Sequence, residues 1–366
     1  AQSFTRALDK VIELAPEIVL IAGDIFHQVR PTNTAILHAY NQFARLRRAL
    51  PNAAIVMVAG NHDTPRSLEA GNILRLFTPL GISVVDDEAQ ALEFPHLDLS
   101  VLGVAHNHRA RPKLVPSGTH RWNLLVLHGP VEGEMGHSVH DAAIDEIPQD
   151  DLNASQWDYI ALGHYHVYKR FSRNQYYSGA LDYTSTNAWG ERVEEAQIGV
   201  AGKGIIEHDL ASGKHIFHPL RPSREFVDLP AISARGLTTE EVDELIRDAV
   251  EGCPGGIDDK VVRLVVRNMP RHISRQLDHK ALREYRHRAL HFHLDARRPD
   301  LIRRQDGQGA PGRRPSLADF VREKLRERVV GADINRDALV ALGLRYLSDA
   351  EERESPSAVQ PASVDG

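Results

Sequence analysis

The sequence predicts an α/β protein, a sheet sandwich flanked by helices, followed by a smaller α+β domain and C-terminal helices. Three observations predict it. Apolar runs of strand length alternate with amphipathic stretches through the first half of the chain, the pattern of α/β folds. Those runs end in glycine-rich turns that carry histidine and aspartate, where open α/β sheets build their ligand sites. After Pro222 the composition shifts, and a new helix–strand–helix pattern begins.

Residues 3–14 (SFTRALDKVIEL) read as a helix and Glu17–Gly23 (EIVLIAG) as a buried strand. A second helix covers 32–49, with Thr32 and Asn33 as candidate caps. Ala53–Gly60 (AAIVMVAG) is the next strand, and 67–78 reads as a helix closed near Pro79 and Gly81. Strands follow at 91–106, 123–128 and 158–163. Residues 175–181 and 197–220 read as hairpins, with turns at Gly202–Gly204 and Ser212–Gly213. In the second part, Thr238 and Glu241 have capping-box spacing at the head of a helix. A strand at 260–267 and a basic helix at 279–290 complete it. The expected domains are 1–222, 223–304, a Gly/Pro-rich linker at 305–315, helices within 316–354, and a polar tail at 355–366.

The 366 residues are 42% hydrophobic and 26% charged, ordinary for a soluble protein of two or three domains. No apolar run reaches membrane-spanning length, and no signal-peptide pattern opens the chain. The single cysteine, Cys253, excludes an internal disulfide and fits a reducing cytoplasm. The net charge of −6 argues against a uniformly basic nucleic-acid binder. Between Lys260 and Arg314, however, 15 Lys and Arg stand against 5 Asp and Glu, a local net of +10. That stretch is either an arginine-rich solvated face or a phosphate-contacting surface.

The chemistry-bearing residues cluster at four strand ends. IVLIAG runs into Asp24 and His27, IVMVAG into Asn61, His62 and Asp63, LLVL into His128, and YIALG into His164 and His166. One histidine at a strand end is usually a packed turn residue. Four successive strand ends with metal-competent side chains point to a cation site. In GHYH the two imidazoles share one face of extended backbone, with Tyr165 pointing away. Asp24 is able to bridge two cations, and Asn61 offers a neutral amide oxygen. Such mixed ligands suit Mn²⁺, Fe²⁺ or Zn²⁺ rather than Ca²⁺. Two such cations about 3.5–4 Å apart are a device for phosphoryl transfer.

The order GD…GNHD…H…GHxH resembles the calcineurin-like metallophosphoesterase superfamily. GDIFHQVRPTN and YYSGALDYTSTNAWGE are similar to segments of the SbcD and meiotic-recombination-eleven nucleases, and REFVDLP resembles that branch's entry into a capping domain. The resemblance covers residues 1 to about 300 and is specific over the first 230. It implies a two-sheet metallophosphoesterase sandwich with two divalent metals, most simply Mn²⁺. Asp24 matches the bridging carboxylate, Asn61, His128 and His164 the other ligands of the second metal, and His166 a ligand of the first. His62 matches the catalytic histidine that is not a ligand. His27 matches a histidine that positions the DNA phosphate, although packing behind the ligands is its other reading. Asp63 either orients His62 or caps the helix near Ser67, and the structural role is the one expected.

The family pattern opens with a strand ending in Asp-x-His, and nothing before Asp24 matches it. The expectation is one cation bound well, a second bound weakly, and an exposed apolar strand edge. The resemblance further implies a nuclease acting on DNA ends in double-strand-break repair, an SbcC-type coiled-coil ATPase partner and a homodimer, with 32–49 and 67–78 in the dimerising region; the helices within 316–354 either contact the ATPase or pack on the second domain. A phosphoesterase for a small substrate and an inactive scaffold are the alternatives.

Overall fold

The computed structural model describes residues 1–65, 71–106, 112–132, 146–185, 187–299, 317–327 and 336–354. Helix α1 (Gln2–Leu14) leads into β1 (Ile18–Ala22), α2 (Asn33–Ala49) and β2 (Ala54–Val58). The Thr32 hydroxyl caps α2 by accepting from the Ala35 N–H, as the sequence suggested. A 3-10 helix at Ile73–Leu80 and β3 (Ser83–Val85) follow. The helix expected at 67–78 is thus replaced by a 3-10 helix from residue 73. Asn72 caps it and Gly81, at φ 77°, ends it. Residues 67–70, with the Ser67 cap, lie outside the described residues.

The strand expected at 91–106 is two strands, β4 (Gln90–Phe94) and β5 (Leu99–Val104). Pro95 opens a 3-10 turn between them and Asp98, at φ 49°, closes it. Next come β6 (Trp122–His128), β7 (Tyr159–Gly163), β8 (Lys169–Arg170) and β9 (Gln175–Tyr177). The strand at 175–181 stops early, because Gly179 turns the chain at φ 81°. Helix α3 (Ala188–Gln197) lies between the two stretches read as hairpins, capped by the Asn187 side chain on the Gly190 N–H. In the second of them, β10 (Gly204–His208) and β11 (His215–Pro219) form the hairpin.

Two sheets form the sandwich. β1, β2 and β3 make a parallel sheet with β2 in the middle. The second sheet has the order β4-β5-β6-β7-β9-β8. β1 and β2 pack against β5, β6 and β7, so the carboxyl ends of β1, β2, β6 and β7 meet. Alternation along the strands builds two cores. Leu124 and Val126 face the first sheet with Val56, Met57, Val58 and Tyr176. Leu125 and Leu127 face away, packed with Ile160, Leu162 and Tyr177. An aromatic chain, Phe4–Phe43–Phe77, ties α1 and α2 to the 3-10 helix, with ring centroids 5.3 and 4.7 Å apart.

The second part has its own hydrophobic cluster. β12 (Phe226–Ser233), α4 (Thr239–Glu251), β13 (Val261–Arg267), α5 (Arg271–Gln276), α6 (His279–Arg288) and β14 (His291–Ala296) build a parallel sheet of order β12-β13-β14. The capping box predicted from Thr238 and Glu241 is present. β12 and β14 escaped the sequence reading. Pro230 and a register shift between Leu229 and Ile232 interrupt β12, and β14 alternates its apolar residues with histidine. Residues Ala1–Pro299 form one compact unit and Asp300–Gly366 a second. The second unit contains α7 (Leu317–Glu327) and α8 (Arg336–Glu354), packed on each other. The linker expected at 305–315 and the tail at 355–366 lie outside the described residues. Among the described residues, no helix is long and apolar enough to cross a membrane.

Candidate metal centre

Four chain turns converge where the two sheets meet. The first follows β1, where Gly23 and Asp24 have φ 89° and 53°. A non-glycine residue held at positive φ costs on the order of 1–3 kcal/mol, and such strain concentrates at functional sites. The Asp24 carboxylate reaches across the turn after β2 and accepts the His62 backbone N–H at 2.9 Å. Gly60 permits this approach, since a Cβ there would lie 2.0 Å from Asp24 Oδ1.

The third turn follows β6. His128 pairs in register with Gly163, and its ring is buried. His128 Nδ1 donates to the Ala22 carbonyl at 2.8 Å. That bond fixes the tautomer and turns Nε2 toward Asn61 Oδ1 at 2.9 Å and Asp24 Oδ2 at 3.4 Å. His164, at φ 112° after β7, brings Nδ1 to within 3.2 Å of the same Asn61 oxygen. The His128 and His164 rings stand edge to face, 5.4 Å apart. Two imidazoles, a carboxylate and an amide oxygen thus converge within 2.9–3.4 Å of one another.

Burial pushes the Asp24 carboxyl up, but the His128 ring and the His62 N–H outweigh it and hold Asp24 below its ordinary value. A carboxylate, an amide oxygen and imidazoles in one place are the ligand types of a divalent cation site once the imidazoles give up the proton facing Asp24 and Asn61. Among the described residues, no three His, Cys, Asp or Glu side chains by themselves form a group that could hold a metal ion. The site relies on the Asn61 amide as its hub. With it, Asp24, Asn61, His128 and His164 suit a borderline divalent cation.

His62 stands at the edge of this cluster, half-buried. Its Nδ1 is 2.8 Å from the His27 carbonyl, an acceptor, so Nδ1 carries the proton and Nε2 remains for chemistry. The His27 ring is exposed and stacks on His62 with centroids 5.4 Å apart and planes 18° from parallel. Asp63 is fully buried. Its carboxylate accepts the backbone N–H groups of Ile25, Phe26 and Gly60 at 3.0–3.1 Å. It therefore pins the β1 turn to the β2 turn, a role the sequence did not suggest, while the expected cap near Ser67 lies outside the described residues. Burial raises the Asp63 carboxyl above its ordinary value despite those three bonds.

His166 has a carboxylate partner of its own. Its Nδ1 pairs at 3.0 Å with Glu191 on α3, a residue the sequence reading passed over. Burial pushes the Glu191 carboxyl up, but His166, Lys203 and Ser185 bring it down to about 2. The one sequence signal was the i, i+4 spacing of Glu191 and Glu195 on a helix, which places both on one face.

Residues 1–168 match the family model of the calcineurin-like phosphoesterases. Among curated proteins, the chain is 24% identical over 220 residues to the DNA double-strand break repair protein Mre11 of Methanocaldococcus jannaschii, covering 57% of this chain and 56% of that one. It is 26% identical over 276 residues to the protein of the same name from Archaeoglobus fulgidus, covering 69% and 57%. A Bacillus subtilis protein named uncharacterized metallophosphoesterase YhaO is 27% identical over 175 residues, covering 45% and 40%. The chain thus spans about half the length of the curated relatives it matches. Residues 1–168, the stretch whose strand ends gather carboxylate, amide and imidazoles, are thus similar to the calcineurin-like phosphoesterases.

Proposed function

We propose that this protein is a Mn²⁺-dependent DNA nuclease that hydrolyses phosphodiester bonds at DNA ends, the nuclease subunit of a double-strand-break repair complex. The observation that carries the reading is the convergence of His128 and His164 on the Asn61 oxygen beside an anionic Asp24, with His62 at the rim. The relatives named for double-strand break repair support the substrate class.

A bound divalent cation at this site supplies Lewis-acid polarisation of the phosphate and a hydroxide at neutral pH. Asp24, Asn61, His128 and His164 would hold it. His166 would hold a second cation together with Asp24. His62, its Nδ1 committed to the His27 carbonyl, presents Nε2 to carry a proton to the leaving oxygen. His27, exposed and stacked on His62, is available to a non-bridging phosphate oxygen.

The basic second part supports a DNA substrate as well. Arg263, Arg288 and Arg297 are engaged by Asp228, Asp258 and Asp295. Arg271, Arg275 and Arg298 instead line a cavity of about 370 Å³ near the carboxyl ends of β13 and β14. An SbcC-type coiled-coil ATPase, reached through α7 and α8, and a second copy of this chain are the partners this reading carries.

The test is cleavage of linear duplex DNA by the purified chain, with Mn²⁺ or EDTA and with His62→Ala. Mn²⁺-dependent cleavage lost in His62→Ala supports the reading. Hydrolysis of a small phosphodiester such as bis-nitrophenyl phosphate without any DNA cleavage would overturn it in favour of a small-substrate phosphoesterase.

A further inference from the structure

We propose that Glu191 is the positioning residue for His166, holding that imidazole in the one tautomer able to ligate a divalent cation through Nε2, with Lys203 as the buried cation that keeps Glu191 in place. The proposal rests on the metal-centre reading above and deepens it.

Glu191 is 5% exposed and Lys203 is 3% exposed. A carboxylate only accepts, so the 3.0 Å contact makes His166 Nδ1 the protonated nitrogen. The Ser185 hydroxyl donates to the same oxygen, Oε1. Lys203 Nζ takes the other, Oε2, at 2.7 Å. The same ammonium reaches Glu195 Oε1 at 2.8 Å and the His166 carbonyl at 2.7 Å. The carbonyl contact is a hydrogen bond from the ammonium to the backbone of the histidine itself, while the two carboxylate contacts are ion pairs outside hydrogen-bond geometry. Glu195 is completed by the Tyr183 hydroxyl at 2.5 Å.

Two carboxylates face one ammonium here, and the Arg192 guanidinium lies over the Tyr183 ring as the next cation. A carboxylate behind a ligating histidine fixes its ring and raises its basicity, and loss of such a partner typically weakens metal binding about 10–100-fold. Helix α3 makes the arrangement rigid. Glu191 and Glu195 point to the network, while Trp189 packs on Phe226 of β12 at 5.6 Å and under Arg263 of β13 at 4.7 Å.

The alternative is that Glu191 serves only as counter-ion to Lys203. Glu191→Asp separates the two roles, since it keeps the charge but withdraws it by one methylene. The first readout is the His166 tautomer in the metal-free protein, by long-range ¹H–¹⁵N correlation. The wild type is expected to show the Nδ1–H form, and Glu191→Asp and Glu191→Gln a mixture. The second readout is Mn²⁺ binding followed by electron paramagnetic resonance. The weaker of two binding steps is expected to loosen 10–100-fold in both variants, with the tighter step changed less than about 3-fold. A His166 tautomer unchanged in Glu191→Asp, in a variant whose circular dichroism matches wild type, would overturn the proposal and leave Glu191 a counter-ion. Wild type that binds no Mn²⁺ would overturn the metal-centre reading instead, while the tautomer still decides the role of Glu191.

Discussion

Asp63→Ala is the perturbation that tests how the candidate site is held together. The Asp63 carboxylate accepts three backbone N–H groups, those of Ile25 and Phe26 in one turn and Gly60 in the other. Alanine leaves all three donors without this partner in a site that is fully buried. A hydrogen bond to a charged group contributes roughly 1.5–3 kcal/mol net. The low end applies, because burial also raises the Asp63 carboxyl and its removal relieves that desolvation. Three such bonds then amount to about 4.5 kcal/mol, a large share of the roughly 5–15 kcal/mol by which domains are stable. Asp63→Asn retains one acceptor oxygen but turns an amide N–H₂ toward a backbone donor, so about half the loss is expected. Urea unfolding followed by circular dichroism, extrapolated linearly, measures both. A loss under about 1 kcal/mol in both variants, at unchanged m-value, would refute the idea that this carboxylate pins the two turns.

Other perturbations test separate parts of the fold and site. Arg47 donates to the carbonyls of Leu50, Pro51, Ala53, Leu80 and Gly81, so Arg47→Ala is expected to destabilise by about 2 kcal/mol, and Arg47→Lys to recover less than half of that in the same assay. A Cβ at Gly163 would lie 1.6 Å from the Ala22 carbonyl oxygen, so Gly163→Ala must separate β1 from β7, at a cost of about 3 kcal/mol in thermal or chemical unfolding. His215 stacks on Tyr176 at 3.9 Å, and burial, His208 and Arg170 push its pKa down to about 4 from 6.5. Its folded pKa is depressed, so its share of stability is fully present above pH 6.5 and drains away as pH falls through about 4. Melting temperatures between pH 7 and 4 should fall less steeply in His215→Phe, and parallel curves would remove His215 as the cause. For Arg271 and Arg275, the double change to Gln should reduce the slope of log affinity against log salt for duplex DNA by about 2. An unchanged slope would take that cavity out of the DNA path.

The strand ends and the residues on them were legible in the sequence because both signals are local. A buried strand needs a continuous apolar run, and IVLIAG, IVMVAG, LLVL and YIALG provide four. The turn that follows needs glycine where the backbone takes positive φ or comes close to a neighbour, and Gly23, Gly60 and Gly163 stand there. The order of Asp24, Asn61, His62, His128 and His164 along the chain follows from those runs alone. The capping box at Thr238 was equally readable, since both partners lie within four residues. What the sequence left open depends on groups distant along the chain. Ala22 is 106 positions from His128, yet its carbonyl selects the tautomer that aims Nε2 at Asn61. Asp63 shows no local sign that its carboxylate will bond three backbone groups, two of them nearly forty residues away. Glu191 and Lys203 read as ordinary surface charges until α3 and the segment before β10 bury them together beside His166. Residue type and local spacing determine which donors exist and which strand end carries each. Only the packing of one sheet on the other decides which lone pair faces which, because a hydrogen bond depends on distances of a few ångströms that no local pattern encodes.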